Sequence, residues 1–288
     1  QDIISNMDVI PHYDYSLFED QIFWRPYNGD VVRSVDYELS RGCIYTCSYC
    51  VETTIQRYYG FKERGKRGAL INAKNYLRTK SARRIHEELS ILSKEFKINL
   101  IRSQDTNFLT IDRTMLNELA DLFKSEPLDI RLYIETRPEG INESTLDLLC
   151  RLNVDGIGMG LELSTQSFRE DYLYRFTDQK RIISAFEMLK LANIKRTAYN
   201  IIGLPDQSED SIKETIEFNR LLSPDNVTVA FYSPFAGTDE EVRSRKMGYS
   251  GMYETGIDPQ IRTITTNSNI STEKLNFYKN NFAKLVHA

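Results

Sequence analysis

Six short β-rich runs separated by amphipathic helical stretches constrain this chain more than any other feature. The runs fall at 31–39, 98–102, 130–135, 156–162, 195–202 and 226–232. Between them, residues 81–96 start at Ser81 and place Ile85, Leu89 and Leu92 on one face. Residues 110–124 do the same with Met115, Leu116, Leu119 and Phe123. Residues 142–152 begin at Asn142, a good N-cap, and carry Leu146, Leu149 and Cys150 inward. Helical patterns at 179–192 and 208–222 follow, the second capped by Ser208 with Ile212, Ile216 and Leu221 inward, and another covers 271–285. Strand and helix alternating in this way call for an α/β fold with a parallel sheet and helical crossovers. Six units suit an open doubly wound sheet or an incomplete barrel.

The pattern divides the chain into three parts. Residues 1–30 are rich in Asp, Tyr and Pro and read as an irregular lead-in. Residues 31–238 carry the repeating units. Residues 239–288 form a C-terminal extension with turn residues at Gly248, Gly251, Gly256 and Pro259. With 288 residues, 41% of them hydrophobic and 27% charged, the chain can bury a sizeable core. Gly156, Gly158 and Gly160 lie inside a strand pattern, without the strand–turn–helix context of a dinucleotide fingerprint, and no Walker A motif is present. No window reaches 18 consecutive apolar residues, so no membrane partner is expected. The N-terminal stretch has no basic region followed by an apolar one, which points to the cytoplasm.

A formal charge of −4 argues against a globally basic nucleic-acid binder. One stretch runs the other way. From Arg57 to Arg84 there are ten Lys or Arg against a single acid, Glu63. Such a run is either a solvated face or a holder for an anionic substrate.

The cysteines narrow the chemistry. Cys43, Cys47 and Cys50 fall within eight residues, and Cys150 stands apart. Close cysteines in a chain of this size read as metal or redox ligands. They follow the first strand directly, at the edge where parallel α/β proteins build active sites. Three thiolates can each ligate one iron of a cubane cluster and leave the fourth iron open. A structural zinc site would need a fourth ligand from Cys150, His12, His86 or His287, none at finger-like spacing. A pure electron-transfer cluster would want four cysteines. Cys150, at an apolar helix position, reads as a buried, inert thiol. The three histidines make no acid–base dyad.

The motif C-x-x-x-C-x-aromatic-C, with Tyr49 before the last cysteine, resembles the radical S-adenosylmethionine superfamily, and the resemblance runs from about residue 8 to 285. It implies a partial (β/α)6 TIM-type barrel with parallel strands. It implies a [4Fe–4S] cluster on Cys43, Cys47 and Cys50, with S-adenosylmethionine chelating the fourth iron. Reductive cleavage would give a 5′-deoxyadenosyl radical that abstracts hydrogen from substrate, driven by a flavodoxin- or ferredoxin-type reductant. Residue by residue, Tyr49 resembles the aromatic near the adenine, Glu135 in IETRP an acidic cofactor contact, and Glu162 in GMGLELS the ribose contact, with Ser164 beside it. Arg175 resembles the arginine that pairs the cofactor carboxylate. Asn200 in NIIGLP and Phe231 in AFYSPFAGT fall in segments that line the nucleoside. DTNF, Asp105 to Phe108, matches a loop pattern after the second strand.

Within the superfamily, the lead-in MDVIPHYDYSLFE and the RGCIYTCSYC motif resemble cobalamin-dependent members most. That implies cobalamin as a further cofactor and C-methylation of an unidentified substrate. It also implies a cobalamin domain before the barrel, for which 30 residues are too few. The methylthiotransferase subgroup is less expected, because the chain has neither the cysteines nor the length for its extra domains. The alternatives are a radical oxidoreductase or isomerase without cobalamin, or a metal-stabilised module that docks a nucleic acid or phosphorylated partner through the basic stretch.

Overall fold

The computed structural model describes residues 3–249 and 268–288. In chain order the elements are β1 (Trp24–Tyr27), β2 (Asp30–Tyr37), β3 (Ser40–Arg41), α1 (Val51–Tyr58), β4 (Arg78–Thr79), α2 (Ala82–Phe96) and β5 (Leu100–Ser103). Then follow α3 (Arg113–Ser125), β6 (Arg131–Thr136), α4 (Glu143–Arg151), β7 (Val154–Glu162), α5 (Gln166–Asp171) and α6 (Gln179–Leu191). The last are β8 (Lys195–Ile202), α7 (Glu209–Leu222), β9 (Asn226–Phe231), α8 (Asp239–Lys246) and α9 (Thr272–His287). Short 3-10 turns occupy much of the lead-in.

The main sheet has seven strands in the order β1-β2-β5-β6-β7-β8-β9, and β2–β5, β5–β6 and β8–β9 pair in parallel. This order settles the topology left open by the sequence. A doubly wound sheet reverses direction after its first strands. Here each new parallel strand adds beyond the last, so the winding is single, as in a barrel that does not close. β1 is antiparallel to β2, in a stretch read as irregular. It is only four residues long, and Pro26 suits an edge strand, where one N–H can be spared.

The chain separates into two compact units. The first holds residues 1–43, 74–158 and 188–195; the second holds 44–73, 159–187 and 196–288. In the first, α2 buries Ile85, Leu89 and Leu92, and α3 buries Met115, Leu116, Leu119 and Phe123, as their periodicity requires. Ser81, Asn142 and Ser208 cap their helices as expected, each accepting a backbone N–H three residues on. In the second, Leu275, Tyr278, Phe282 and Val286 of α9 form one stripe. They pack with Ile202, Ile212, Ile216 and Val229 in a single cluster.

Three inward assignments are corrected. Cys150 is exposed, not a buried inert thiol. Leu146 is only half-buried, and the inner face of α4 is Thr145, Leu148 and Leu149. Leu221 is 65% exposed and Leu222 takes its place. Each helical step turns the side chain by about 100°, so a phase error of one residue moves an apolar side chain from core to surface. Residues 250–267, including Gly251, Gly256 and Pro259 of the extension, lie outside the described residues.

Candidate radical cofactor site

The three close cysteines sit on the loop between β3 and α1. All are free thiols; Cys43 and Cys47 are buried, and Cys50 is the N-cap of α1. The loop is a closed turn: the Cys50 N–H donates to the Cys47 carbonyl at 3.2 Å, and Thr53 Oγ1 donates to the same carbonyl at 2.8 Å. Within the second unit it is pinned from several sides. Thr46 donates through its N–H (2.8 Å) and its Oγ1 (2.9 Å) to the Gly68 carbonyl. Ser48 donates through N–H to Leu173 and through Oγ to the Tyr172 carbonyl. The Glu240 N–H reaches the Ser48 carbonyl at 3.0 Å. Gly68 makes this possible. It has φ +70°, and a Cβ there would lie 2.8 Å from the Tyr174 carbonyl.

The donor set fits an iron–sulfur cluster. Burial, reinforced by the neighbouring Cys47, pushes the Cys50 thiol up to about 12, so the bare thiolate is disfavoured there. Cationic iron offsets that cost and holds a coordinating thiol deprotonated. Among the described residues, no three His, Cys, Asp or Glu side chains converge as they would around a single ion. A cubane makes a different demand, because each thiolate meets its own iron.

Three of the sequence-read residues are joined in one network in the second unit. Tyr49 Oη donates to Glu162 Oε1 at 2.8 Å, and Arg175 Nη1 lies 3.3 Å from the same oxygen and 3.4 Å from Tyr49 Oη. Arg175 Nη2 donates to the Gly160 carbonyl at 2.5 Å. Burial and the Glu162 carboxylate hold the Tyr49 phenol well above its ordinary range. Glu162 ends β7 with φ +64°, and Tyr174, just before Arg175, has φ +55°. Such backbone in non-glycine residues costs about 1 kcal/mol each and persists where the surroundings enforce it. The enforcing contacts are visible. Buried Arg169 donates to the carbonyls of Leu163 (3.0 Å) and Thr177 (2.8 Å), and its own carbonyl accepts the Arg175 N–H at 2.9 Å. Arg169 escapes sequence reasoning, since it forms no motif, and the glycine run that holds Gly160 does not by itself point to this contact.

The remaining residues singled out in the sequence have contacts of their own. Ser164 is tied to α7: its N–H donates to Thr215 Oγ1 at 3.0 Å, and its Oγ accepts from the same hydroxyl at 3.4 Å. Asn200 exchanges amide hydrogen bonds with Asn219 at 2.9 and 3.2 Å. Phe231 packs against the α7–α9 cluster, with the Lys279 ammonium 6.0 Å from its ring. Glu135 is exposed on β6 in the first unit.

The basic stretch is largely committed internally. Arg57 and Arg64 both pair with Asp239, and Arg64 also stacks over Tyr174 at 3.8 Å. Lys80 and Arg84 pair with buried Glu88. Arg83 pairs with Glu87 and Glu126. No helix among the described residues is long and apolar enough to cross a membrane.

Comparison with known proteins bears on this arrangement. An uncharacterised methyltransferase of Pyrococcus horikoshii is 26% identical over 236 residues, covering 82% of this chain and 46% of that protein. A probable threonylcarbamoyladenosine tRNA methylthiotransferase of Methanocaldococcus jannaschii is also 26% identical, over 79% of this chain and 52% of that one. By identity the two relatives are equally similar to this chain. The chain spans about half the length of these curated relatives. The structure of the cobalamin-dependent S-adenosylmethionine radical enzyme OxsB superposes with a TM-score of 0.62 at 16% identity, over 86% of this chain and 41% of that one. That likeness establishes the partial-barrel fold. The sequence profile of the Radical SAM superfamily matches residues 37–218, from the end of β2 through most of α7, and this chain, an enzyme, belongs to that superfamily.

Proposed function

We propose that this chain binds a [4Fe–4S] cluster on Cys43, Cys47 and Cys50, cleaves S-adenosylmethionine reductively, and uses the product to abstract hydrogen from a substrate. The observation that carries this reading is the Tyr49–Glu162–Arg175 network in the same unit as Cys47 and Cys50. When bound, the cluster and S-adenosylmethionine together supply a 5′-deoxyadenosyl radical. An external reductant of flavodoxin or ferredoxin type delivers the electron.

The chain's own residues bind and orient. Arg175 offers a planar fork suited to the cofactor carboxylate. Glu162 offers acceptors for the ribose hydroxyls, and Tyr49 an aromatic face for the adenine. Before the cofactor arrives, Glu162 and Arg175 satisfy each other. Neither is left as a buried unpaired charge, and each is already held near one geometry. Cofactor binding then exchanges partners rather than ordering loose side chains.

Methyl transfer with cobalamin is the favoured elaboration. It is supported by the name of the Pyrococcus relative and by the cobalamin bound in OxsB. The test is anaerobic reconstitution with iron and sulfide, then dithionite and S-adenosylmethionine, with 5′-deoxyadenosine followed by chromatography. Uptake of roughly four irons per chain and slow 5′-deoxyadenosine formation are expected. Both are lost in Cys47→Ala. Zinc in place of iron, or equal product from the variant, would refute the reading. Adding cobalamin to the reaction tests the methylation step.

A further inference from the structure

Asp105, the first residue of DTNF, stands outside the network described above. It follows β5 in the first unit and is 1% exposed. A buried carboxylate has to be paired or hydrogen-bonded. Here the bonds come from neutral donors, three of them on the chain leaving β2 and one at the end of β5. Oδ1 accepts from the Ser40 N–H and the Ser40 hydroxyl, both at 2.5 Å. Oδ2 accepts from the Leu39 N–H at 3.3 Å and the Ser103 hydroxyl at 2.5 Å.

The same few residues are held on their other side. The Leu39 carbonyl accepts from the Lys80 N–H at 3.0 Å, and Ser40 pairs with Thr79 in the β3–β4 ribbon. Gly42 follows with φ +98°, and a Cβ there would lie 2.8 Å from the Tyr76 carbonyl. The backbone from Leu39 to Gly42 is therefore clamped between Asp105 on one side and the 76–80 segment on the other. The next residue is Cys43. Two residues, Arg41 and Gly42, separate it from Ser40, so it lies at most about 11 Å from that residue.

We propose that Asp105 is a positioning residue for Cys43, fixing the approach of the chain to the first thiolate of the cluster. The proposal rests on the cluster reading above for its purpose but not for its geometry. Cys47 and Cys50 have their own anchors, at Thr46, Ser48 and Thr53, so the effect of Asp105 falls on Cys43 first. A role in stability alone would loosen all three thiols together.

The experiment is peptide-resolved alkylation of the cluster-free chain with iodoacetamide under anaerobic conditions. Exposed Cys150 serves as the internal reference. In Asp105→Asn, labelling of Cys43 relative to Cys150 rises at least about fivefold, with Cys47 changed by less than about twofold. Ser40→Ala, which removes one hydroxyl and leaves the carboxylate, gives a smaller rise in the same order. It carries the test if Asp105→Asn does not fold. An unchanged Cys43 rate, or equal acceleration of all three thiols, overturns the proposal. Reconstituted Asp105→Asn also holds less iron than the wild-type chain and gives an altered electron paramagnetic resonance spectrum when reduced. A wild-type chain that takes up no iron refutes the cluster reading, while the labelling pattern still decides whether Asp105 controls Cys43.

Discussion

At Gly160 a single hydrogen atom decides whether two charged side chains can meet. A Cβ there would lie 2.4 Å from Glu162 Oε1 and 3.3 Å from Arg175 Nη2. The obstructed atoms are side-chain ends rather than backbone, so Gly160→Ala folds but drives the pair apart. The expected result is a modest loss of stability, about 1–2 kcal/mol. S-adenosylmethionine affinity falls roughly tenfold, which corresponds to about 1.4 kcal/mol. Equilibrium dialysis against thermal unfolding separates the two effects; full affinity in a destabilised variant would show that the pair does not contact the cofactor. This glycine also marks the limit of legibility in the sequence. Gly156 and Gly160 belong to a run that, read alone, decides little. Their reason is close approach, of Tyr27 and Tyr133 to the first and of Glu162 and Arg175 to the second, which the spacing of the glycines does not encode. The side chains of Asn200 and Ser164 suit a ligand as well as they suit a helix. Their hydrogen bonds to Asn219 and Thr215 on α7 are announced by no local pattern.

Between elements, Glu88 on α2 gathers a clamp. Tyr37 of β2 donates to it, as do Lys80 (2.8 Å) and Arg84 (2.7 Å), and His12 of the lead-in lies 3.4 Å away. Burial alone would raise the Glu88 carboxyl. The hydrogen bonds from Lys80, Tyr37 and Arg84 together outweigh burial and lower it. A carboxyl depressed in the folded state contributes stability above its ordinary value near ~4.3, and that contribution is lost as pH falls through the folded value. Glu88→Gln leaves the buried Lys80 without its charge partner and costs about 3 kcal/mol at pH 7. The gap from wild type narrows as pH drops below about 4. Melting temperatures of both chains between pH 3 and 8 check this, and a gap independent of pH would show that Glu88 is not ionised in the fold. Elements of this size were the legible part of the sequence. The six strands β2 and β5 to β9 and the helices from α2 to α7, apart from short α5, follow from apolar runs, period and capping, because each buries a continuous stripe. β1, β3 and β4 are two to four residues long and show no period. α1 begins directly on the cysteine motif, where ligand spacing masks helical spacing.

Over the whole chain, charge is where the linear reading and the folded one differ most. The run from Arg57 to Arg84 carries an excess of nine positive charges, which in isolation suggests a surface for phosphate. Folding takes much of it up. Asp239, more than 150 residues on, accepts Arg57 and Arg64, and Glu88 accepts Lys80 and Arg84. Arg67 donates to the Phe176 carbonyl, and Arg78 stacks over Tyr76 at 5.3 Å. A cation already paired with carboxylate has to break that pair before it meets phosphate, so the counterion release available to a nucleic acid is small. Titration of this chain into labelled tRNA is expected to give only non-specific affinity, no tighter than about 10⁻⁶ M at physiological salt. The logarithm of the binding constant should fall with the logarithm of salt by no more than about two phosphates' worth. Nanomolar binding with a steep salt slope would require the pairs at Asp239 and Glu88 to open toward phosphate. Asp239→Asn discriminates between the cases. If the run is a set of internal struts, freeing Arg57 and Arg64 steepens the slope by at most about two and loosens the Thr46 end of the cysteine loop. If it is already a binding face, the same change leaves the slope where it was.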